Sequence, residues 1–149
     1  MSKAPSRTAG PSNLPRGGIR LKVVKAVGAW SLVLLYMYLL YWLSSRSSTG
    51  GGGMPIPDKL AHAVAYFGLC VVVRLATGAT VSKATAATGL AVGITMLYGA
   101  TDEWHQSFTP GRQPDVLDWV ADSVGALTAA AVWILVGRIT RGSSKQVSY

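Results

Sequence analysis

The chain has 149 residues, half of them hydrophobic and only 13% charged. Soluble domains carry about 25% charged residues, so an ordinary water-exposed surface is excluded over much of the chain. Fourteen Lys and Arg face six Asp and Glu, for a formal net charge of +8. The bases lie outside long apolar runs rather than clustered on a polar domain, so the charge speaks for a lipid bilayer as partner and not for nucleic acid. The single cysteine excludes an internal disulfide framework and any multi-cysteine metal site.

Residues 1–22 are rich in Pro, Ser, Gly and bases and form an expected disordered, basic N-terminal tail. Val23 to Leu43 follows with Lys25 as its one charge. At 1.5 Å per residue this run spans about 30 Å, the thickness of a hydrocarbon core. Tyr36, Tyr38, Tyr41 and Trp42 crowd its far end, as at a membrane interface. A secretory signal would have an apolar core of about 7–15 residues followed by a small-residue cleavage site, and neither is present. The run is therefore read as an uncleaved span. Ser44 to Pro57, with Gly50 to Gly53 and two prolines, reads as a flexible loop.

Three further spans are expected at Leu60–Val73, Ala84–Thr101 and Val116–Val136. None shows the continuous polar face of a globular surface helix. The fold class that follows is an all-α membrane protein, a bundle of four transmembrane helices over residues 23–137. Two stripes of small residues, Gly89 with Gly93 and Ala121 with Gly125 and Ala129, are expected to pack helices within the chain. Pairing of two copies through Gly89 and Gly93 is the alternative for the first stripe. Residues 138–149 form a short basic C-terminal tail. Ser2 stands where myristoylation needs Gly, and no C-terminal Cys motif is present, so lipid anchoring is not expected.

On this threading, all Lys and Arg except Arg46, Lys59 and Arg112 fall on the side of the two termini. Positive residues mark the cytoplasmic face, so both termini are expected inside. All six acids (Asp58, Asp102, Glu103, Asp115, Asp118 and Asp122) and both histidines, His62 and His105, fall on the outer side. The orientation rule does not demand this, because acids contribute little to topology. Helical spacing puts Asp58 with His62, and His62 with Tyr66, on shared faces. Tyr98, Asp102 and His105 line one face of the third helix. Asp115, Asp118 and Asp122 recur on one face of the fourth, the last two inside the span. Charges at that depth face a bundle interior or a wet cavity and need partners, for which Lys59 and Arg112 are at hand. Thr109-Pro110-Gly111-Arg112 has turn chemistry that can fold Arg112 over the acids. Asp58 and Asp115 also suit helix N-caps.

Three chemistries fit these residues. A metal could take His62, His105 and a carboxylate, yet Glu103 and His105 diverge on a helix and no H-E-x-x-H is present, so no metal or cofactor is expected. Acid–base chemistry could use Glu103 or His105, with Arg112 holding an anion. Ser107 and Thr109 lack a nucleophile setting, and Cys70, amid apolar residues, reads as packing. Lastly, the cluster could bind a polar ligand, with Trp104, Phe108 and Trp119 either stacking on it or forming an interfacial belt. Ion transport fits less well, because no ionisable chain continues into the other half.

Three ordered motifs then carry a resemblance. Asp58-Lys59-x-x-His62-x-x-x-Tyr66-Phe67 comes first. Tyr98-Gly99-x-x-Asp102-Glu103-x-His105-Gln106-x-Phe108-x-Pro110-Gly111-Arg112 is second, and Asp115-x-x-Asp118-x-x-x-Asp122-x-x-Gly125 is third. Over residues 58–137 the chain resembles the VanZ-like membrane protein family, with Asp122 departing from the Asn of many members. The resemblance implies a multi-pass protein of the bacterial cell membrane, in the context of the cell envelope and low-level teicoplanin resistance, without a settled activity. It adds Gln106 to the candidate site. The reading that results is an outward polar site binding a lipid head group, a lipid-linked cell-wall intermediate or the glycopeptide antibiotic. The alternative is a membrane enzyme working on a lipid-linked envelope substrate by acid–base catalysis.

Overall fold

The structure, a computed structural model, describes residues 16–45 and 57–146. It contains four helices: α1 (Arg16–Ser44), α2 (Asp58–Thr80), α3 (Ala84–Gln106) and α4 (Val116–Gln146). Each is long and apolar enough to cross a membrane. The flexible loop expected at Ser44 to Pro57 lies largely outside the described residues, as do residues 1–15 and 147–149 of the two tails. All four helices outrun the apolar pattern, α2 reaching Thr80 and α3 Gln106, and two of them enter the tails. α1 begins at Arg16 and α4 continues to Gln146, inside the stretches assigned to the tails. Backbone hydrogen bonding continues along an established helix without needing apolar side chains, so polar turns extend both spans.

α2 is the hub. It packs along α4, α3 and α1, whereas α1 and α3 barely touch. The α2–α3 connection is only Val81–Lys83 long, and the Thr77 hydroxyl ties it by donating to the Ala87 carbonyl at 2.9 Å. Val33 and Leu40 of α1, Leu69, Cys70, Val73 and Ala76 of α2, Ala91 of α3, and Ala126 and Ala129 of α4 form the apolar core. Cys70 is buried there, in keeping with a packing role. Large side chains such as Leu34, Leu97 and Ile139 stay exposed on the outer faces. That distribution suits a bundle whose surroundings are as apolar as its core.

Small residues bring the helices together, but not all of those expected. Gly125 presses on the α2 backbone: a Cβ there would meet the Ala63 carbonyl oxygen and come within 3.0 Å of the Phe67 nitrogen. On α3 the packed stripe is Ala87, Ala91, Thr95 and Gly99, all buried and one turn apart. The Gly89–Gly93 stripe does not pack inside the chain. Nothing lies within 4 Å of a Cβ at either glycine, and both face outward. In a helix apolar on every side, hydropathy does not say which small-residue face meets protein.

Candidate functional site

The end of the bundle formed by the start of α2, the end of α3 and the start of α4 gathers the acids. Asp115 caps α4, its Oδ1 accepting from the Leu117 N–H at 2.8 Å, as the sequence suggests. Asp58 does not cap α2. Pro57 holds that position without a side-chain cap, and Asp58 is the first helical residue. Between α3 and α4 the turn closes through the Arg112 N–H to the Thr109 carbonyl at 3.1 Å. Gly111 sits there at φ 80°, a conformation open to glycine at little cost.

At the rim, the Lys59 ammonium donates to Asp115 Oδ2 at 2.7 Å and Asp118 Oδ1 at 2.8 Å, joining α2 to α4. The Lys59 ammonium beside Asp115 holds that carboxyl below its ordinary value of 3.8, helped by the Leu117 N–H. One turn deeper, His62 Nδ1 pairs with Asp122 Oδ1 at 2.9 Å, while Nε2 lies 4.0 Å from Asp118 Oδ2. With Asp122 ionised, Nδ1 carries the proton donated to it, and Nε2 faces Asp118. Asp122 is fully buried, and Gly99 makes room for it: a Cβ at Gly99 would stand 2.9 Å from Asp122 Oδ2. Tyr66 donates its hydroxyl to Asp102 Oδ2 at 3.2 Å, joining α2 to α3. Glu103 accepts from the Asp115 N–H at 2.8 Å and from Gln106 Nε2 at 3.4 Å.

Asp118 and Asp122 are both buried on the inward face of α4; Asp118 takes Lys59, one of the two expected cations, whereas Asp122 takes His62 instead. Lys59 is matched to two carboxylates, and Arg112 lines the adjoining cavity. That cavity, of about 250 Å³, lies between α1, α2 and α3. Asp58, His62, Tyr66, Asp102, Gln106 and Arg112 form its polar side. Leu40, Leu43, Ala61 and Ala65 form its apolar side, with Ser44 beside them. The Ser44 hydroxyl is buried without a hydrogen-bond partner among the described residues. The α1 lining residues went unread in the sequence, because Leu and Ser at the end of a span carry no chemical signature.

His105 stands apart from this group. Its Nε2 is 3.0 Å from Ser45 Oγ, and its ring lies 4.5 Å from that of Tyr41, so it secures the end of α1. Tyr98, on the same face, donates to the Met37 carbonyl at 2.6 Å. Of the aromatics, Trp119 donates to the Met96 carbonyl at 3.0 Å. Trp104 and Phe108 meet edge to face at 5.3 Å and are both exposed, as in an interfacial belt.

For a metal, His62, Glu103 and Asp122 each offer one ligand atom within 4.8 Å of the others, as do Asp58, His62 and Asp118. The first set replaces the pairing of His62 with His105 considered from sequence. A nitrogen with carboxylates suits divalent ions, but His62 Nδ1 and Glu103 already serve protein partners.

Fold and site together define a multi-pass membrane protein with a buried ionisable network at one end. Residues 25–137 match the VanZ/LLP1 family, well over half the chain, and the chain belongs to that family. Neither the curated proteins nor the solved structures gave a match.

Proposed function

We propose that this chain acts in the cell envelope by binding the polar head of an amphiphile in the cavity beside the His62–Asp122 pair. The observation that carries the reading is the two-sided lining. A polar side with Arg112, His62, Tyr66 and Asp102 faces an apolar side from α1 and α2. Amphiphiles need both surfaces at once, and pockets combine apolar walls with a few placed polar groups. Arg112 supplies the planar fork suited to a phosphate or carboxylate. The Ser44 hydroxyl, buried without a partner among the described residues, supplies a further polar atom. A lipid head group, a lipid-linked cell-wall intermediate and a teicoplanin-type glycopeptide all carry such chemistry. The functional outcome is glycopeptide resistance or envelope lipid homeostasis, with the acidic end outside the cell membrane.

Teicoplanin susceptibility in a Gram-positive host tests this reading, with wild type beside Arg112→Ala and Asp102→Ala at equal membrane levels. Wild type raises the inhibitory concentration and both variants lose the effect. A wild type without effect removes resistance from the reading. Variants as active as wild type remove the cavity.

The His62–Asp122 pair favours one further reading, a membrane enzyme using acid–base catalysis. A buried carboxylate orienting a His, with Nε2 left to exchange a proton, is an arrangement that supports proton transfer. This shifts the role proposed for Glu103 or His105 onto His62. Product formation from a lipid-linked substrate, lost in His62→Gln with binding retained, separates catalysis from binding. Binding without turnover in wild type excludes it.

A further inference from the structure

The opposite end of the bundle carries a second polar site. All six acids of the chain lie at the end already described. At the other end, Arg74 of α2 is 9% exposed, a buried charge with no carboxylate beside it among the described residues. Its Nε donates to Thr88 Oγ1 of α3 at 2.9 Å, and its guanidinium carbon stands 4.8 Å from the centre of the Trp133 ring of α4. The guanidinium passes over Gly78, where a Cβ would stand 2.5 Å from Nη1. Three helices thus fix this group in place. It lines a cavity of about 410 Å³ together with Thr88, Gly89, Trp133, Arg138 and Arg141.

A buried cation in an apolar setting is costly unless a counter-charge meets it. Lys59 at the other end is matched by two carboxylates. For Arg74 the described residues supply a hydroxyl and an aromatic face, both neutral. Three guanidinium groups around one cavity match the oxygens of a phosphate, which arginine grips as a planar fork. Basic pockets between transmembrane helices hold anionic head groups. The outward-facing Gly89 and Gly93 run from this cavity toward the middle of α3, with open space beside them in which an acyl chain can lie.

We infer that this cavity binds the phosphate of an anionic phospholipid, with Arg74, Arg138 and Arg141 around the phosphate and the acyl chains along α3. This site is separate from the acidic end and does not rest on the proposed function.

Native mass spectrometry of the full chain in neutral detergent tests it, with titrations of phosphatidylglycerol, phosphatidylcholine and inorganic phosphate. Phosphatidylglycerol is expected to bind about tenfold more tightly than phosphatidylcholine, whose choline is repelled by the arginines. The double variant Arg138→Gln/Arg141→Gln loses about tenfold in phosphatidylglycerol affinity. The charge-matched control Lys22→Gln/Lys25→Gln, on α1, retains it. Arg74→Lys keeps the charge without the fork and also binds more weakly, which preserves a test if Arg74→Gln does not fold. Equal binding of the two lipids overturns the proposal, as does equal loss in both double variants. Inorganic phosphate binding as tightly as phosphatidylglycerol assigns the cavity to a free anion and overturns the lipid.

Discussion

Asp122 is fully buried, and the imidazole of His62 is what holds it. Removing one partner of such a pair leaves an uncompensated polar group in an apolar interior. His62→Ala is therefore expected to cost about 3–5 kcal/mol, while Asp122→Asn, which still accepts from Nδ1, costs less. Thermal unfolding in detergent measures both, and a His62→Ala protein as stable as wild type contradicts the pairing. At the rim, Asp115 is held below its ordinary value by Lys59. A carboxylate lowered on folding adds stability above its unfolded pKa, and that stability is lost as pH falls through the folded one. Unfolding followed below about pH 4 should show an acid limb that Asp115→Asn lacks, since Asn still caps α4 but does not titrate. A limb of the same depth in both proteins contradicts the Lys59 contact as its source. These residues were legible because a charge inside an apolar run stands out, and helical spacing says which of them share a face. The partners were not legible. That His62 meets Asp122, and that Lys59 meets Asp115 and Asp118, depends on how α2 registers against α4, which neither run encodes alone.

At the scale of the helices, the same limit appears in the small-residue stripes. Four spans and the turn at Gly111 follow from hydropathy and turn chemistry. Which face of α3 packs does not, because lipid and protein interior are equally apolar and Gly89–Gly93 looks as suitable as Ala87–Ala91–Thr95–Gly99. Substitution separates the two cases. Gly125→Ala pushes a methyl into the α2 backbone at Ala63 and is expected to cost at least about 1–3 kcal/mol. Gly93→Ala enters open space and leaves stability unchanged or slightly higher. Thermal unfolding of the pair checks this, and the reverse order would mean that Gly93, not Gly125, carries the packing.

For the whole molecule, acids occupy one end, while Lys22, Lys25, Arg74, Arg138 and Arg141 cluster toward the other. The charge bias predicts both termini on the cytoplasmic side. Reporter fusions active only in the cytoplasm should work at each terminus, and activity of a periplasmic or extracellular reporter there reverses the orientation. Cytoplasmic termini would turn the acidic end toward the outer leaflet, as the proposed function requires. Family and fold were readable because three motifs recur in order. The cavity was not, since one wall of it comes from the featureless α1 residues Leu40, Leu43 and Ser44.

Photocrosslinking tests the central claim most directly. The intact protein in membranes would be exposed to a photoactivatable lipid bearing a sugar-pyrophosphate head, and the adducts mapped by peptide mass spectrometry. The proposed site predicts adducts on Asp58–Tyr66 and Asp102–Arg112, displaced by excess unlabelled lipid and reduced in Arg112→Ala. Adducts confined to the outward faces of α1 and α4, undiminished by competitor, would contradict a head-group pocket at this end of the bundle.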